Sequence, residues 1–433
     1  MIVRRAMTLG ACAALVLATA CATEPEATNN GTITQPEATA NGETTPPDAA
    51  DPLVTGLYDF AERFGQSVLT EGENSVYSPL SIAYAFAMLR AGADGETASQ
   101  LDDVFGFPAD GLAEAARTLA QQTVTIDDAP PRTEPGEARG PDDEPQDPIV
   151  AIANGLFVQD GLTLEPEFTE TLAEYYGARP IDVDFASPEA IQTIDEWVDE
   201  QTAGRIDRLF DELDPETVAV LANAIYMKAE WEHQFTETAT EDSEFTLGDG
   251  STVTVPMMSK DSLSLRYLTG GGDAEGWSAI ELPYAGGELS MWLVLADPSG
   301  ETGTPAAPNL SASLLEQLHQ GGETVSVDVA LPRWDFGTTI ELLGQLRELG
   351  LTDLTDLDGI TPQFAVNDAI HRANITVDEQ GTEAAAVTGV AGVTSLPPDA
   401  EIQFRADRPF SFVVMHTPTG APLFAGAVEN PLQ

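Results

Sequence analysis

The segment Ser78–Ala93, SPLSIAYAFAMLRAGA, is apolar nearly all the way round a helix. A helix with no polar face has nothing to turn toward water, so the rest of the chain must enclose it on every side. It is too short to cross a bilayer, and nothing after residue 21 is long and apolar enough to do so. The 433 residues, 42% of them hydrophobic, supply enough apolar surface for one large core or two ordinary domains. A second helix is expected to open at Ser187-Pro188, a capping residue followed by a first-turn proline. Ile191, Ile194 and Val198 would be its apolar stripe and Gly204 its stop. Strands are expected at 149–158, 218–228, 279–282, 289–295, 325–331, 410–416 and 423–428, the last two joined by the turn sequence Thr417-Pro418-Thr419-Gly420. The expected class is therefore mixed α/β (α+β), with no repeat period.

Charge removes whole classes of partner. The chain holds 72 Asp and Glu against 18 Lys and Arg, and Lys228 and Lys260 are its only lysines. A surface this negative repels nucleic acid and anionic membranes and suits solvation, including in high salt. At the N-terminus, Arg4 and Arg5 precede an apolar run from Ala6 to Ala20, the pattern of an export signal over residues 1–21. It ends in Ala18-Thr19-Ala20-Cys21, which resembles a bacterial lipobox with Cys21 as the lipidated residue; an ordinary signal peptide cut near Ala20 is the other reading. The only other cysteine, Cys12, lies inside the signal, so the mature chain can form no internal disulfide.

Two segments have compositions that cannot bury a core. Residues 22–51 are rich in Thr, Pro, Glu, Ala and Asn and read as a disordered tether. Residues 127–148 hold six prolines, eight acids and two arginines, and read as a disordered surface insertion within one domain.

Motifs for catalysis or metal binding fail on inspection. The four histidines, His233, His319, His371 and His416, show no metal-binding helical spacing. Asp356-x-Asp358-Gly359 hints at a calcium loop, but Leu354 and Ala365 occupy positions that need acids. There is no nucleophile elbow, phosphate loop or dinucleotide fingerprint, and no nucleophile, base and orienting group assemble. No cofactor, metal or enzymatic activity is expected.

The chemically unusual stretch lies near the C-terminus. Between Gly381 and Pro397 the only charge is Glu383, and the remaining residues are small or β-branched. A flexible Ala/Gly linker is the plain reading. Alternatively, Thr382, Ala384, Ala386, Thr388 and Val390 form one compact uncharged face, so the segment could lie as a strand with that face buried and Glu383 toward water.

Here the chain resembles the serpins. The hinge GTEAAA (Gly381, Thr382, Glu383, Ala384, Ala385, Ala386), preceded by Asp378 and Glu379, is similar to that of inhibitory serpins, bacterial and archaeal ones included. The resemblance spans 52–433. It takes in Asn74 with Ser78-Pro79-Leu80-Ser81, ANGLFVQ from Ala153, LANAIYMKAEW from Leu221, DGSTVTVPMM from Asp249, ELPYAGGELSMWLVL from Glu281 and RPFSFVVMHTPTGAPLFAGAVENP from Arg408. Departures are Ala229-Glu230 in place of Gly-Lys, Ser411 in place of an apolar residue, and the 127–148 insertion. The helix before that insertion carries only Arg117, which argues against heparin-like polyanion binding.

The resemblance implies the serpin fold: a large central β-sheet A, further sheets, about eight to nine helices and an exposed reactive-centre loop within 379–403. It implies a monomeric inhibitor of a serine protease that forms a covalent acyl complex, then inserts the loop into sheet A as strain is released. The implied shutter residues are Ser78, Ser81, Asn223 and His371, and the breach residues are Trp231, Arg333 and Glu379, with a half-exposed Arg333–Glu379 pair. Family loops are cut about fourteen residues after the hinge glycine and regain sheet structure about nine residues later, which puts the reactive bond at Ser395–Leu396. Small residues Val393, Thr394 and Ser395 on the acyl side suit an elastase- or subtilisin-like pocket. The alternatives are a non-inhibitory serpin used for binding or structure, an inhibitor of cysteine proteases, or an exported enzyme. Localisation is expected to be extracellular or at the cell surface, as a lipoprotein on the outer face of the cytoplasmic membrane, with a lipid anchor as the only membrane contact.

Overall fold

The computed structural model describes residues 51–70, 72–126, 129–132, 146–271, 276–297, 306–382 and 400–433. Its helices are α1 (Asp51–Val68), α2 (Pro79–Arg90), α3 (Gly95–Phe105), α4 (Leu112–Thr123), α5 (Pro166–Tyr175), α6 (Ala190–Gln201), α7 (Ala312–Gln320) and α8 (Leu342–Glu348). The strands are β1 (Ser75–Tyr77), β2 (Ile149–Gln159), β3 (Ile181–Val183), β4 (Ala219–Glu230), β5 (Glu241–Thr246), β6 (Thr252–Gly270), β7 (Trp277–Pro283) and β8 (Leu289–Ala296). They continue with β9 (Glu323–Pro332), β10 (Trp334–Glu341), β11 (Val366–Val377), β12 (Gly381–Thr382), β13 (Ile402–Arg405), β14 (Phe410–His416) and β15 (Pro422–Val428). The expected mixed α/β class is what forms.

Helix α2 explains the layering. Every residue from Pro79 to Leu89 is buried, and α2 touches both sheets, at β15 and at β2 and β4. One sheet has nine strands in the order β1-β15-β14-β8-β7-β6-β9-β13, with β5 on β6. The other has six, in the order β10-β11-β12-β4-β2-β3. Ser78 starts α2 by accepting a hydrogen bond from Ser81 N at 3.1 Å, and so fixes both serines where the helix meets the six-stranded sheet. The central strands β2 and β4 are buried on both faces. One face meets the large core around α2, and the other meets a smaller core beneath α6.

Helix α6 starts later than its sequence suggests. Ser187 Oγ accepts from Glu189 N at 3.2 Å inside a turn, and the helix begins at Ala190. Its buried face is Ala190, Ile194, Trp197, Val198 and Gln201, so Trp197 takes the place expected for the half-buried Ile191.

The insertion leaves and rejoins the body at one point. Thr125 N donates to Val150 O at 3.0 Å, and Val150 N donates to Thr125 Oγ1 at 2.8 Å. The described residues at its ends contact the body: Pro130 is buried, Arg132 pairs with Asp199 of α6, and Gln146 N donates to Glu230 Oε2 at 3.3 Å.

Candidate functional site: the hinge and the seam of the six-stranded sheet

The site grows from the end of β11. The chain reverses over Asp378–Gly381, where Asp378 Oδ1 accepts from Gln380 N at 2.8 Å and Gly381 N at 3.2 Å, and Asp378 N donates to Gly381 O at 3.0 Å. Only glycine fits at 381, because a Cβ there would meet the Ala229 carbonyl oxygen at 2.1 Å. The returning residues form β12, which lies between β11 and β4. Thr382 stands opposite Val377 on one side and Ala229 on the other.

Thr382 is 3% exposed, with its Oγ1 2.6 Å from the Tyr284 hydroxyl. Burial pushes the Tyr284 phenol far up, so it remains a neutral hydrogen-bonding group. Trp231 stacks on Tyr284 with ring centroids 4.4 Å apart. The indole Nε1 donates to Asp378 O at 3.0 Å, and Trp231 N donates to Gln380 O at 2.7 Å. Burial raises the Asp378 carboxyl to about 6, with the Glu379 charge adding to the effect.

Arg333 Nε donates to Glu379 Oε1 at 2.8 Å; Arg333 Nη2 and Thr240 Oγ1 also reach that oxygen. The pair differs from the expected half-exposed one: the Arg333 side chain is 42% exposed but that of Glu379 only 5%. Removing Arg333 would leave a buried carboxylate with too few donors, a larger penalty than losing a surface pair.

Ser78, Ser81, Asn223 and His371 meet lower in the same sheet, all fully buried. His371 Nε2 accepts from Ser78 N at 3.0 Å, and Nδ1 faces Asn223 Oδ1. The ring is therefore neutral with its proton on Nδ1, and burial lowers its pKa to about 3. Asn223 Nδ2 donates to Ser81 O at 2.8 Å and to Ser81 Oγ at 2.6 Å, and also contacts Asn154 Oδ1. His371 and Asn223 sit opposite each other in the parallel pairing of β11 with β4, which runs from Val366↔Ala219 to Ala373↔Ile225. Above Ala373 no ladder pair joins these strands among the described residues, and β12 separates them at the top. The sheet thus contains a seam, already parted at one end.

Glu383, Ala384, Ala385, Ala386, Ser395, Leu396 and Cys21 lie outside the described residues. Sequence reasoning missed Tyr284, Thr240, Asn154 and the turn-forming role of Asp378. Tyr284 stood in the ELPYAGG match without a role; the bridge and ring stacking with Trp231 and the hydroxyl contact with Thr382 bring it to this turn.

Residues 55–431 match the family described as Serpin (serine protease inhibitor). The chain belongs to the serpin family. A serpin-like protein of Thermococcus kodakarensis is 32% identical over 389 residues, covering 88% of this chain and 86% of that one. Leukocyte elastase inhibitor A of Rattus norvegicus is 33% identical over 376 residues, covering 83% and 93%. Among solved structures, native tengpin, a thermophilic serpin, superposes with a TM-score of 0.74 at 24% identity over 90% of this chain and 95% of its own, a likeness of fold alone. Human thyroxine-binding globulin with bound thyroxine gives 0.74 at 26% identity over 88% and 99%. The six-stranded sheet is the serpin sheet A, and protease inhibition is the general activity of the family.

Proposed function

We propose that this serpin is an exported, monomeric, single-use inhibitor of an elastase- or subtilisin-like serine protease. The enzyme attacks Ser395–Leu396, and the acyl-enzyme is trapped as the loop enters sheet A. The observation that carries this reading is the register of Thr382. Continuing the β12 register down the seam puts Ala384 between Ile375 and Met227, Ala386 between Ala373 and Ile225, and Thr388 between His371 and Asn223. Gly392 would reach Ala219, where β4 begins, so the slot takes up about eleven residues and Ser395 lies just beyond it. The even-numbered residues share the inward face with Thr382 and are small or β-branched, as a buried strand face requires. Glu383 falls on the opposite face.

Acylation joins the protease serine oxygen to the Ser395 carbonyl carbon and releases the Leu396 amine with the transferred proton. Insertion then moves the ester-linked enzyme away from the top of the sheet before water can attack. Strand formation by the loop drives this step, because each buried backbone group gains a ladder partner.

Thyroxine-binding globulin, solved with its ligand bound, marks the second reading, a non-inhibitory serpin used for binding or structure. The GTEAAA hinge favours inhibition, since it holds no proline, basic or bulky side chain that would keep a strand out of the sheet. The AlaThrAlaCys sequence ending at Cys21 supports a surface lipoprotein. Incubation with a panel of serine and cysteine proteases tests the central claim. An SDS-stable band at the combined mass is expected with an elastase- or subtilisin-like enzyme, and cleavage of the loop without such a band across the panel would refute it.

A further inference from the structure

The turn Asp378–Gly381 sets two carboxylates side by side, with Arg333 as the cation beside them. Arg333 and Thr240 direct their bonds to Glu379, whose side chain is 5% exposed. Asp378 is partnered differently: its Oδ1 accepts from the Gln380 and Gly381 amides at 2.8 and 3.2 Å. A neutral oxygen can accept the same two bonds, so the shape of the turn does not require the negative charge it buries. Burial, and then the Glu379 charge, favour the protonated acid and raise it to about 6, against the pull of the two amides and Arg333.

Other titratable groups come from each element packed on the turn. Asp335 of β10 accepts from Thr376 Oγ1 at 2.7 Å, and Glu230 of β4 accepts from Gln146 N and Gln234 Nε2, both at 3.3 Å. Lys260 of β6 donates to Gln234 O at 2.7 Å, and Tyr284 stays neutral. Glu232 and His233 lie in the segment 231–235, which is bonded to the turn through Phe235 N to Glu379 O at 2.8 Å. Histidines ordinarily titrate near neutral pH, so a test must separate His233 from Asp378.

If the turn withdraws into water, Asp378 returns to the ordinary carboxylate value of about 3.9. The seated turn therefore holds the proton more tightly than the withdrawn one. Seating strengthens as pH falls through about 6 and levels off below about 4. Between pH 7.5 and pH 5 the seating equilibrium shifts about tenfold. Whatever the turn carries follows it: Thr382 in its slot between Val377 and Ala229, and the acceptors of two amides outside the turn, Gln380 O for Trp231 N at 2.7 Å and Glu379 O for Phe235 N.

We propose that Asp378 is a proton-operated latch on the hinge: protonated, it holds the turn and Thr382 in the top of sheet A, and ionised, it lets the turn withdraw more often. The latch belongs to the uncut protein and goes beyond the trapping reaction, since it sets how firmly Thr382 is seated before any protease arrives.

Hydrogen exchange on the intact protein tests it, read by mass spectrometry at the Trp231 and Phe235 amides, which lose their acceptors when the turn leaves. Corrected for the intrinsic exchange rate at each pH, their protection should rise about tenfold from pH 7.5 to pH 5. The buried histidines His371 and His416, lowered to about 3 and about 4, move global stability the other way over this range, so amides of β14 should not share the rise. Asp378→Asn keeps an oxygen acceptor without the charge. Its protection should be flat with pH, at the level the parent reaches at pH 5, while His233→Gln should keep the parent's rise. A flat parent profile, an undiminished rise in Asp378→Asn, or loss of the rise in His233→Gln overturns the latch. If Asp378→Asn does not fold, the parent and His233→Gln profiles still decide between these outcomes.

Discussion

Replacing Thr382 with arginine tests the seam at its entrance. Thr382 is 3% exposed, fills the slot between Val377 and Ala229, and meets the Tyr284 hydroxyl at 2.6 Å. The buried Glu379 carboxylate is already engaged by Arg333 and Thr240, and Asp378 by the Gln380 and Gly381 amides. A guanidinium at 382 would enter the sheet without a partner, and leaving such a charge buried and unpaired costs about 3 to 5 kcal/mol. The variant escapes by withdrawing the hinge before cleavage, so the uncut protein still folds, but the penalty returns when the loop must insert. At 1.36 kcal/mol per decade, insertion slows by a factor of about 160 to 4,700, and deacylation overtakes it. The assay titrates the inhibitory protease and counts inhibitor molecules consumed per enzyme trapped. Thr382→Arg should be cleaved at every encounter and leave no SDS-stable complex. Thr382→Val keeps the shape and loses only the Tyr284 bond, worth about 1 kcal/mol, so most trapping should survive. An unchanged stoichiometry for Thr382→Arg would refute insertion through this register.

Four further outcomes are expected. Mass spectrometry of the peptide released from the protease complex should find a new N-terminus at Leu396; Pro397 would mean a slip of one residue, and Gly389 would contradict the register. Between pH 6.5 and pH 5 stability should fall, because folded His371 (about 3) and His416 (about 4) stay neutral while the unfolded histidines take up protons. Each contributes a loss of about 2 kcal/mol at pH 5; Asp378, raised to about 6, has the opposite sign and offsets part of it, and His416→Gln should roughly halve the histidine-dependent shift in urea midpoint. Cys21→Ser should move the protein from the membrane fraction to the soluble one in its native host, and an unchanged distribution would leave the ordinary signal-peptide reading. Replacing 133–145 with a short Gly/Ser link should shift the melting temperature by no more than a few degrees, since Thr125 and Val150 already close the excursion; loss of folding would show a structural role.

Much of the fold was legible because its elements carry local signals. The all-round apolar run at 78–93 could only be a buried helix, and the runs at 149–158, 289–295 and 410–416 match β2, β8 and β14 to within one residue at each end. What stayed hidden depends on partners distant in the chain. β11 escaped notice because His371, Arg372 and Asn374 break its apolar pattern, yet each of those polar groups bonds to a residue more than 140 positions away. The burial of Glu379 was equally unreadable, since its donors Arg333 and Thr240 come from separate segments. The hinge GTEAAA was visible as composition, but only the pairing of Thr382 with Ala229 and Val377 turns it into a register.

Under the proposed mechanism, several polar contacts of this sheet lie where the new strand would enter. β4 and β11 share an apolar core on each face and a parallel ladder up to Ala373. To these the seam adds side-chain bonds, between His371 and Asn223 on its inner face and from Arg372 and Asn374 to segment 202–211 on its outer face. An apolar contact loses about a quarter to a half of its dispersion energy once a gap of 0.5–1 Å opens, and the inserted Ala386, Thr388 and Val390 would have to refill that space by repacking. A hydrogen bond is short-ranged and directional, so it resists the first displacement and then contributes nothing. Such a seam stays shut under thermal fluctuation yet offers little resistance once a strand has begun to enter. The same chemistry explains why both buried histidine nitrogens must remain partnered. A proton on Nε2 would face the Ser78 N–H donor, so protonation would set two donors against each other at the seam without any change in the loop.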